Sequence, residues 1–131
     1  MSVAVRYFSR TGNTKTIADA IAEGASSTAV SVDSPDAAID EKVDILFIGG
    51  GLYAYGIDKK LRSFIDTLSP DKVGKAVCFS TAWISRHALE ILTRSLKAKG
   101  ISVDPDTFYC KGSRSRQSYA DARSFGAAKS V

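Results

Sequence analysis

Short apolar runs alternate along this chain with stretches in which apolar residues recur every three or four positions, the signature of strands alternating with helices. Val3 to Phe8 reads as a first strand, and Ile17, Ala18, Ile21 and Ala22 then share one face of a helix. Thr28 to Val32 is a short β-branched strand, after which Ser34-Pro35-Asp36 opens at most a short helix to about Ile39. Val43 to Ile48 is nearly continuously apolar, as in a strand covered on both faces, and Gly49-Gly50-Gly51 is expected to end it. Beyond the loop LYAYGID, Leu61, Phe64, Ile65 and Leu68 keep helical spacing. Lys75 to Ser80 makes a fourth strand, and Ala88, Ile91, Leu92 and Leu96 mark a third helix closed by Gly100. A fifth strand lies within Ile101 to Cys110, and Tyr119 to Lys129 is weakly helical with Gly126 as an interruption.

This alternation implies an α/β fold with a parallel sheet, right-handed crossovers and helices on both faces. Five strands suit a doubly wound sheet of order 2-1-3-4-5, and residues 1–131, without a linker, internal repeat or low-complexity tract, suit a single domain. Such sheets bind ligands outside the carboxyl ends of the strands where the winding reverses, here between strands one and three. Arg6 lies inside a central strand with no partner that the pattern suggests.

The loop after strand one, Ser9-Arg10-Thr11-Gly12-Asn13-Thr14, carries hydroxyls and a glycine and runs straight into a helix. Its backbone N–H groups, its hydroxyls and the positive end of the helix dipole converge on one point, which makes it a phosphate cradle. Gly12 admits an anion close to the backbone because no Cβ stands in the way.

These residues resemble the flavodoxin family, whose opening signature runs aromatic-x-Ser/Thr-x-x-small-x-Thr-x-x-x-Ala. Tyr7, Ser9, Gly12, Thr14 and Ala18 occupy its positions, and the glycines ending strand three, FSTAW after strand four and FYCKG after strand five extend the similarity along the chain. The length resembles that of a short-chain member. The resemblance implies a flavodoxin-like doubly wound sheet and bound FMN. By it Ser9, Thr11, Asn13 and Thr14, with the backbone N–H groups of the turn, would hold the FMN phosphate, and Arg10, a departure from the mostly neutral family loop, would either add charge there or point into water.

The resemblance also implies that the loops after strands three and four wall the isoalloxazine ring. Here these are Leu52-Tyr53-Ala54-Tyr55-Gly56 and Thr81-Ala82-Trp83-Ile84, with Tyr53, Tyr55 and Trp83 as the aromatic candidates for stacking. In the family a carbonyl of the first loop turns toward flavin N5 on one-electron reduction, and Gly56 would ease such a turn at Ala54-Tyr55 or Tyr55-Gly56. The loop GLYAYGIDKKLRSFI is also loosely similar to the flavodoxin-like protoporphyrinogen oxidases.

Other chemistries lack their residues. The loop after strand one has neither the G-x-x-x-x-G-K-S/T of a nucleoside triphosphatase nor the G-x-G-x-x-G of a nicotinamide Rossmann site. Ser9 and Gly49 stand where a phosphorelay receiver needs acids, and His87, the only histidine, opens a helix as a surface or capping residue. No catalytic acid or base is assigned, and no metal ligands cluster. Cys78 and Cys110 fit no metal or C-x-x-C spacing and are expected as buried free thiols. No apolar stretch is long enough to span a membrane, so no membrane span and a cytoplasmic location are expected.

The net charge of +4 is uneven: residues 1–93 carry 10 Lys or Arg against 11 acids, and residues 94–131 carry 8 against 3. Lys111, Arg114 and Arg116 fall in KGSRSR without interleaved aromatics, and no nucleic-acid motif or nucleic-acid partner is expected. That segment follows strand five, at the flavin end of the sheet, and is expected to contact an acidic redox partner or a cofactor phosphate. The functional expectation is an FMN-dependent redox protein, foremost an electron carrier exchanging electrons with a partner protein. The alternatives are an oxidoreductase that takes hydride from NAD(P)H and reduces a quinone or other small acceptor, and a flavin-free interaction module on the same fold.

Overall fold

In the computed structural model, which describes residues 2–53, 56–82 and 85–131, the alternating runs become five parallel strands and four α-helices. Strand β1 (Val3–Phe8) leads through helix α1 (Asn13–Gly24) to β2 (Ala29–Ser31), and β3 (Val43–Gly51) leads through α2 (Lys59–Asp66) to β4 (Val73–Ala82). Helix α3 (His87–Ala98), β5 (Phe108–Lys111), a 3-10 turn (Gly112–Arg114) and α4 (Tyr119–Lys129) complete the chain. The sheet order is β2-β1-β3-β4-β5, all parallel, so the winding reverses between β1 and β3. The carboxyl ends of the strands therefore share one edge.

Alternation along each strand sends successive side chains to opposite layers. Val5, Tyr7, Ile45, Phe47, Val77 and Phe79 pack under α1 and α4, while Ala4, Leu46, Ile48, Ala76 and Cys78 pack under α2 and α3. Both cysteines are free and buried, and burial pushes the Cys78 thiol up to about 12.

Some expectations are sharpened by the structure and others corrected. No helix forms after Ser34: Ser34 N–H donates to Ser31 O, Ala37 N–H to Ser34 O and Asp36 N–H to Ser34 Oγ, closing turns that the serine hydroxyl favours over a helix. These turns bring the Ala37 carbonyl to the Arg6 side chain, whose Nε donates to it at 2.7 Å while Nη1 donates to Val5 O at 3.1 Å. Backbone carbonyls are thus the partners that the pattern did not suggest for Arg6.

The glycine run does not end strand three either. Gly49, Gly50 and Gly51 continue β3, paired with Phe79, Ser80 and Thr81 of β4, and at the first two neighbours fill the room a side chain would need. A Cβ on Gly49 would lie 2.4 Å from the Phe79 ring, and one on Gly50 would lie 2.6 Å from Leu61 Cδ2. Strand β4 extends correspondingly, so Thr81 and Ala82 end a strand instead of starting a loop.

Strand five is split. Val103 bridges Ala76, the chain leaves the ladder near Pro105, which has no N–H to offer, and pairing resumes at Phe108. The departing segment is anchored by Asp104, whose carboxylate meets Lys75 at 3.1 Å and Lys129 at 3.2 Å.

Gly126, finally, does not interrupt α4. It is where α4 touches α1, since a Cβ there would lie 2.2 Å from the Ile21 carbonyl oxygen. Gly24 of α1 makes the reciprocal approach to the Arg123 carbonyl, so the two helices meet backbone to backbone.

Candidate functional site

At the switch point, where β1 and β3 end side by side, a cleft of about 350 Å³ is lined by Ser9, Arg10, Thr11, Asn13 and Thr14 from one side and Gly51, Leu52 and Tyr53 from the other. Thr81 and Ala82 at the end of β4, with Gly112 and Ser113 after β5, close it. Nine of the residues singled out from the sequence thus converge. Gly12 shapes the cradle without lining the cleft, and Gly56 flanks it at φ +112°, closing a bridge with Tyr53 in which Tyr53 N–H donates to Gly56 O at 2.7 Å. Ala54, Tyr55, Trp83 and Ile84 lie outside the described residues.

The cradle is built for an acceptor-rich ligand. Gly12 holds φ at +95°, with open space where a Cβ would stand, and α1 begins there with neither a capping side chain nor an acid in its first turn. The positive end of a twelve-residue helix thus has no acid in its own first turn to neutralise it. Ser9 Oγ accepts from Gly12 N–H at 2.9 Å, which fixes the turn and leaves the Ser9 O–H available to donate. The Thr14 and Thr81 hydroxyls share one hydrogen bond at 2.6 Å and are buried, so one of their two hydrogens remains for another acceptor. Asn13 Oδ1 accepts from Ser115 Oγ at 3.4 Å, leaving the Asn13 amide as a donor.

Arg10 lines the cleft and pairs with an acid from the loop before α2, while its side chain stays 42% exposed. Its guanidinium lies 3.8 Å from the Tyr53 ring centroid, and it donates to Asp58 Oδ2 from Nη2 at 2.6 Å and from Nε at 2.9 Å. Asp58 Oδ1 in turn accepts from Lys60 N–H at 2.8 Å, capping α2. One carboxylate therefore ties the cradle loop, the loop after β3 and the start of α2 together. Burial alone would push the Asp58 carboxyl up. The Lys60 N–H, the Arg10 hydrogen bond and the charges of Arg10 and Lys60 outweigh that and hold it below its ordinary value of 3.8.

A carboxyl whose folded value is depressed binds protons more readily in the unfolded chain. Its stabilisation is complete above the unfolded value and is lost as pH falls through the folded one. Asp58→Ala is accordingly expected to cost about 1–2 kcal/mol at neutral pH through the lost cap and ion pair. It should also flatten the acid limb of the stability curve below pH 4, as urea midpoints measured between pH 2.5 and 7 would record.

Asp58 was not singled out from the sequence: its place just ahead of the Leu61–Leu68 periodicity is the signal of a helix cap, but nothing local marks it as the partner of Arg10. Ser113 was overshadowed by the cations around it. Among the described residues no group of three His, Cys, Asp or Glu side chains could hold a metal, and no helix is long and apolar enough to cross a membrane. His87 opens α3 at the surface, 3.0 Å from Glu90.

A doubly wound parallel sheet with an anion cradle and an aromatic loop facing each other across its switch point defines a crevice for a phosphate-bearing ligand. Comparison places the chain within that class: the flavodoxin domain profile matches residues 4–104, and the chain belongs to the flavodoxin domain family. Among solved structures it is similar to the flavodiiron core of Flv1 from Synechocystis sp. PCC6803, at TM-score 0.80 and 22% identity over 98% of this chain. It spans 34% of that protein's length. A flavodoxin from the domain Archaea matches at TM-score 0.73 and 19% identity over 99% of each chain. The two-electron reduced flavodoxin of Megasphaera elsdenii matches at TM-score 0.74 and 20% identity, over 97% of this chain and 98% of that one. A search of curated proteins returned no match.

Membership in this family implies a flavin, and the cleft fits one that carries a phosphate. The cradle offers donors, an uncapped helix terminus and no carboxylate, while Leu52 and Tyr53 give the opposite wall its apolar and aromatic surface.

Proposed function

We propose that this chain is an FMN-binding redox protein that transfers electrons to or from a partner protein. The observation that carries the reading is the convergence of the uncapped α1 terminus and the Tyr53 loop on one cleft. The Ser9, Thr11 and Thr14 hydroxyls, the Asn13 amide and the first N–H groups of α1 would hold the phosphate. Leu52 and Tyr53 would stand against the ring, with Tyr53 held in place by the Arg10 guanidinium 3.8 Å from its centroid. When bound, FMN supplies one- and two-electron redox chemistry at its ring. The protein's part is to bind and orient it and to keep water from one face. Among the described residues that line the cleft none is an Asp, Glu, His or Lys, which supports a role in which the cofactor and not a side chain carries the chemistry. A cytoplasmic site of action belongs to this reading and is supported by two free, buried cysteines.

Titration of the flavin-free protein with FMN and with riboflavin, followed by quenching of flavin fluorescence, tests it. FMN is expected to bind at least about tenfold more tightly than riboflavin, since the missing phosphate forfeits several charge-assisted hydrogen bonds. Equal affinity would show that the cradle does not hold a phosphate, and absence of binding by either would remove the flavin altogether.

A further inference from the structure

The stretch from Thr107 to Ala120 contains three cations and no acid, and it starts at the wall of the cleft. After β5 the side chains separate by chemistry. Ser115 is buried with Oγ on Asn13, and Gly112 and the exposed Ser113 line the cleft, whereas Lys111, Arg114 and Arg116 are exposed and do not line it. Arg86, which precedes α3, stands over the adjoining Tyr109 ring with its guanidinium carbon 4.8 Å from the centroid, and is also exposed. No carboxylate among the described residues pairs with Arg86, Lys111, Arg114 or Arg116. Arg10 differs from all four, because it lines the cleft and is neutralised by Asp58.

From this arrangement we infer that Arg86, Lys111, Arg114 and Arg116 form a docking surface for an acidic protein at the β5 side of the cleft mouth. The sequence left open whether KGSRSR serves a cofactor phosphate or a partner, and cations that stay exposed outside the cleft, beside a Ser113 that lines it, favour the partner. A ligand in the cleft meets Ser113, while the cations face whatever approaches from outside. Four unpaired like charges at one rim set up a local positive field that accelerates encounter with an acidic surface and fixes which edge of the molecule it meets. The identity of the partner as a redox protein rests on the function proposed above; the surface itself does not.

Labelled poly-L-glutamate serves as the acidic probe, with fluorescence anisotropy as the readout on the full chain. The probe is expected to bind at low salt and to dissociate as salt rises. Arg114→Glu with Arg116→Glu should weaken it by about tenfold or more, whereas Lys42→Glu with Lys97→Glu, the same change in net charge on other exposed residues, should not. FMN affinity of the Arg114/Arg116 variant should equal that of the unaltered chain. Equal losses in the two variants would mean diffuse attraction to net charge and would overturn the inference, as would failure of the unaltered chain to bind. If the arginine variant instead loses FMN affinity, the cations serve the cofactor phosphate. Should no variant bind FMN while the difference in probe binding holds, the flavin reading fails and the docking surface stands.

Discussion

Gly126→Ala is expected to destabilise the protein by about 2–4 kcal/mol, against the intrinsic preference of helices for alanine. In an isolated helix the exchange would stabilise by about 1 kcal/mol, because glycine loses more backbone freedom on ordering. Here the added methyl carbon would lie 2.2 Å from the Ile21 carbonyl oxygen and 2.9 Å from Ile21 Cα. Both atoms belong to the α1 backbone, so no side chain can rotate away. Helix α4 would have to lift from α1, opening the layer that holds Phe125 against Phe47 and Phe108. Ser124→Ala, two residues earlier on the exposed face of the same helix, provides the contrast and should be neutral or slightly stabilising. Guanidinium unfolding of the three proteins measures this directly, and a Gly126→Ala protein as stable as its parent would show that the two helices do not meet backbone to backbone.

Gly12→Val should weaken FMN binding by about tenfold or more while leaving riboflavin binding nearly unchanged. A Cβ there meets no steric obstacle, since no atom beyond the adjoining residues lies within 4 Å of its position. The difficulty is conformational. Gly12 sits at φ +95°, and a β-branched residue forced toward the left-handed region carries a strain of about 1–2 kcal/mol. Relief comes from rotating the peptide, which withdraws the Gly12 N–H from Ser9 Oγ and tilts the first N–H groups of α1 away from the cradle. Only a ligand with a phosphate depends on those groups. Parallel loss of FMN and riboflavin would therefore point to collapse of the whole cleft instead of damage to the cradle.

The strands, the three amphipathic helices and their order were legible because each carries its own periodicity, and parallel topology follows from their alternation. The cradle was legible for a related reason: its parts are contiguous, Ser9 to Thr14, and their spacing is local. The glycines were read less well. As a sequence feature, Gly49-Gly50-Gly51 looks like the end of a strand and Gly126 like a break in a helix. Each is inside its element, because Phe79, Leu61 and Ile21 occupy the space that a side chain would need. Nothing within a few residues of those glycines reports that crowding.

The amino-acid sequence by itself determined the layered architecture and the place of the anion cradle, since both depend on hydrophobic period and on groups adjacent in the chain. Tertiary structure alone decided the pairings made across long separations. Arg10 reaches Asp58 forty-eight positions away, Thr14 meets Thr81 across sixty-seven, and Arg6 finds the Ala37 carbonyl across thirty-one. It also decided that Ser115 is buried and Ser113 lines the cleft while Arg114 and Arg116 stay exposed outside it. Such contacts depend on how the layers close, which no local pattern of residues encodes.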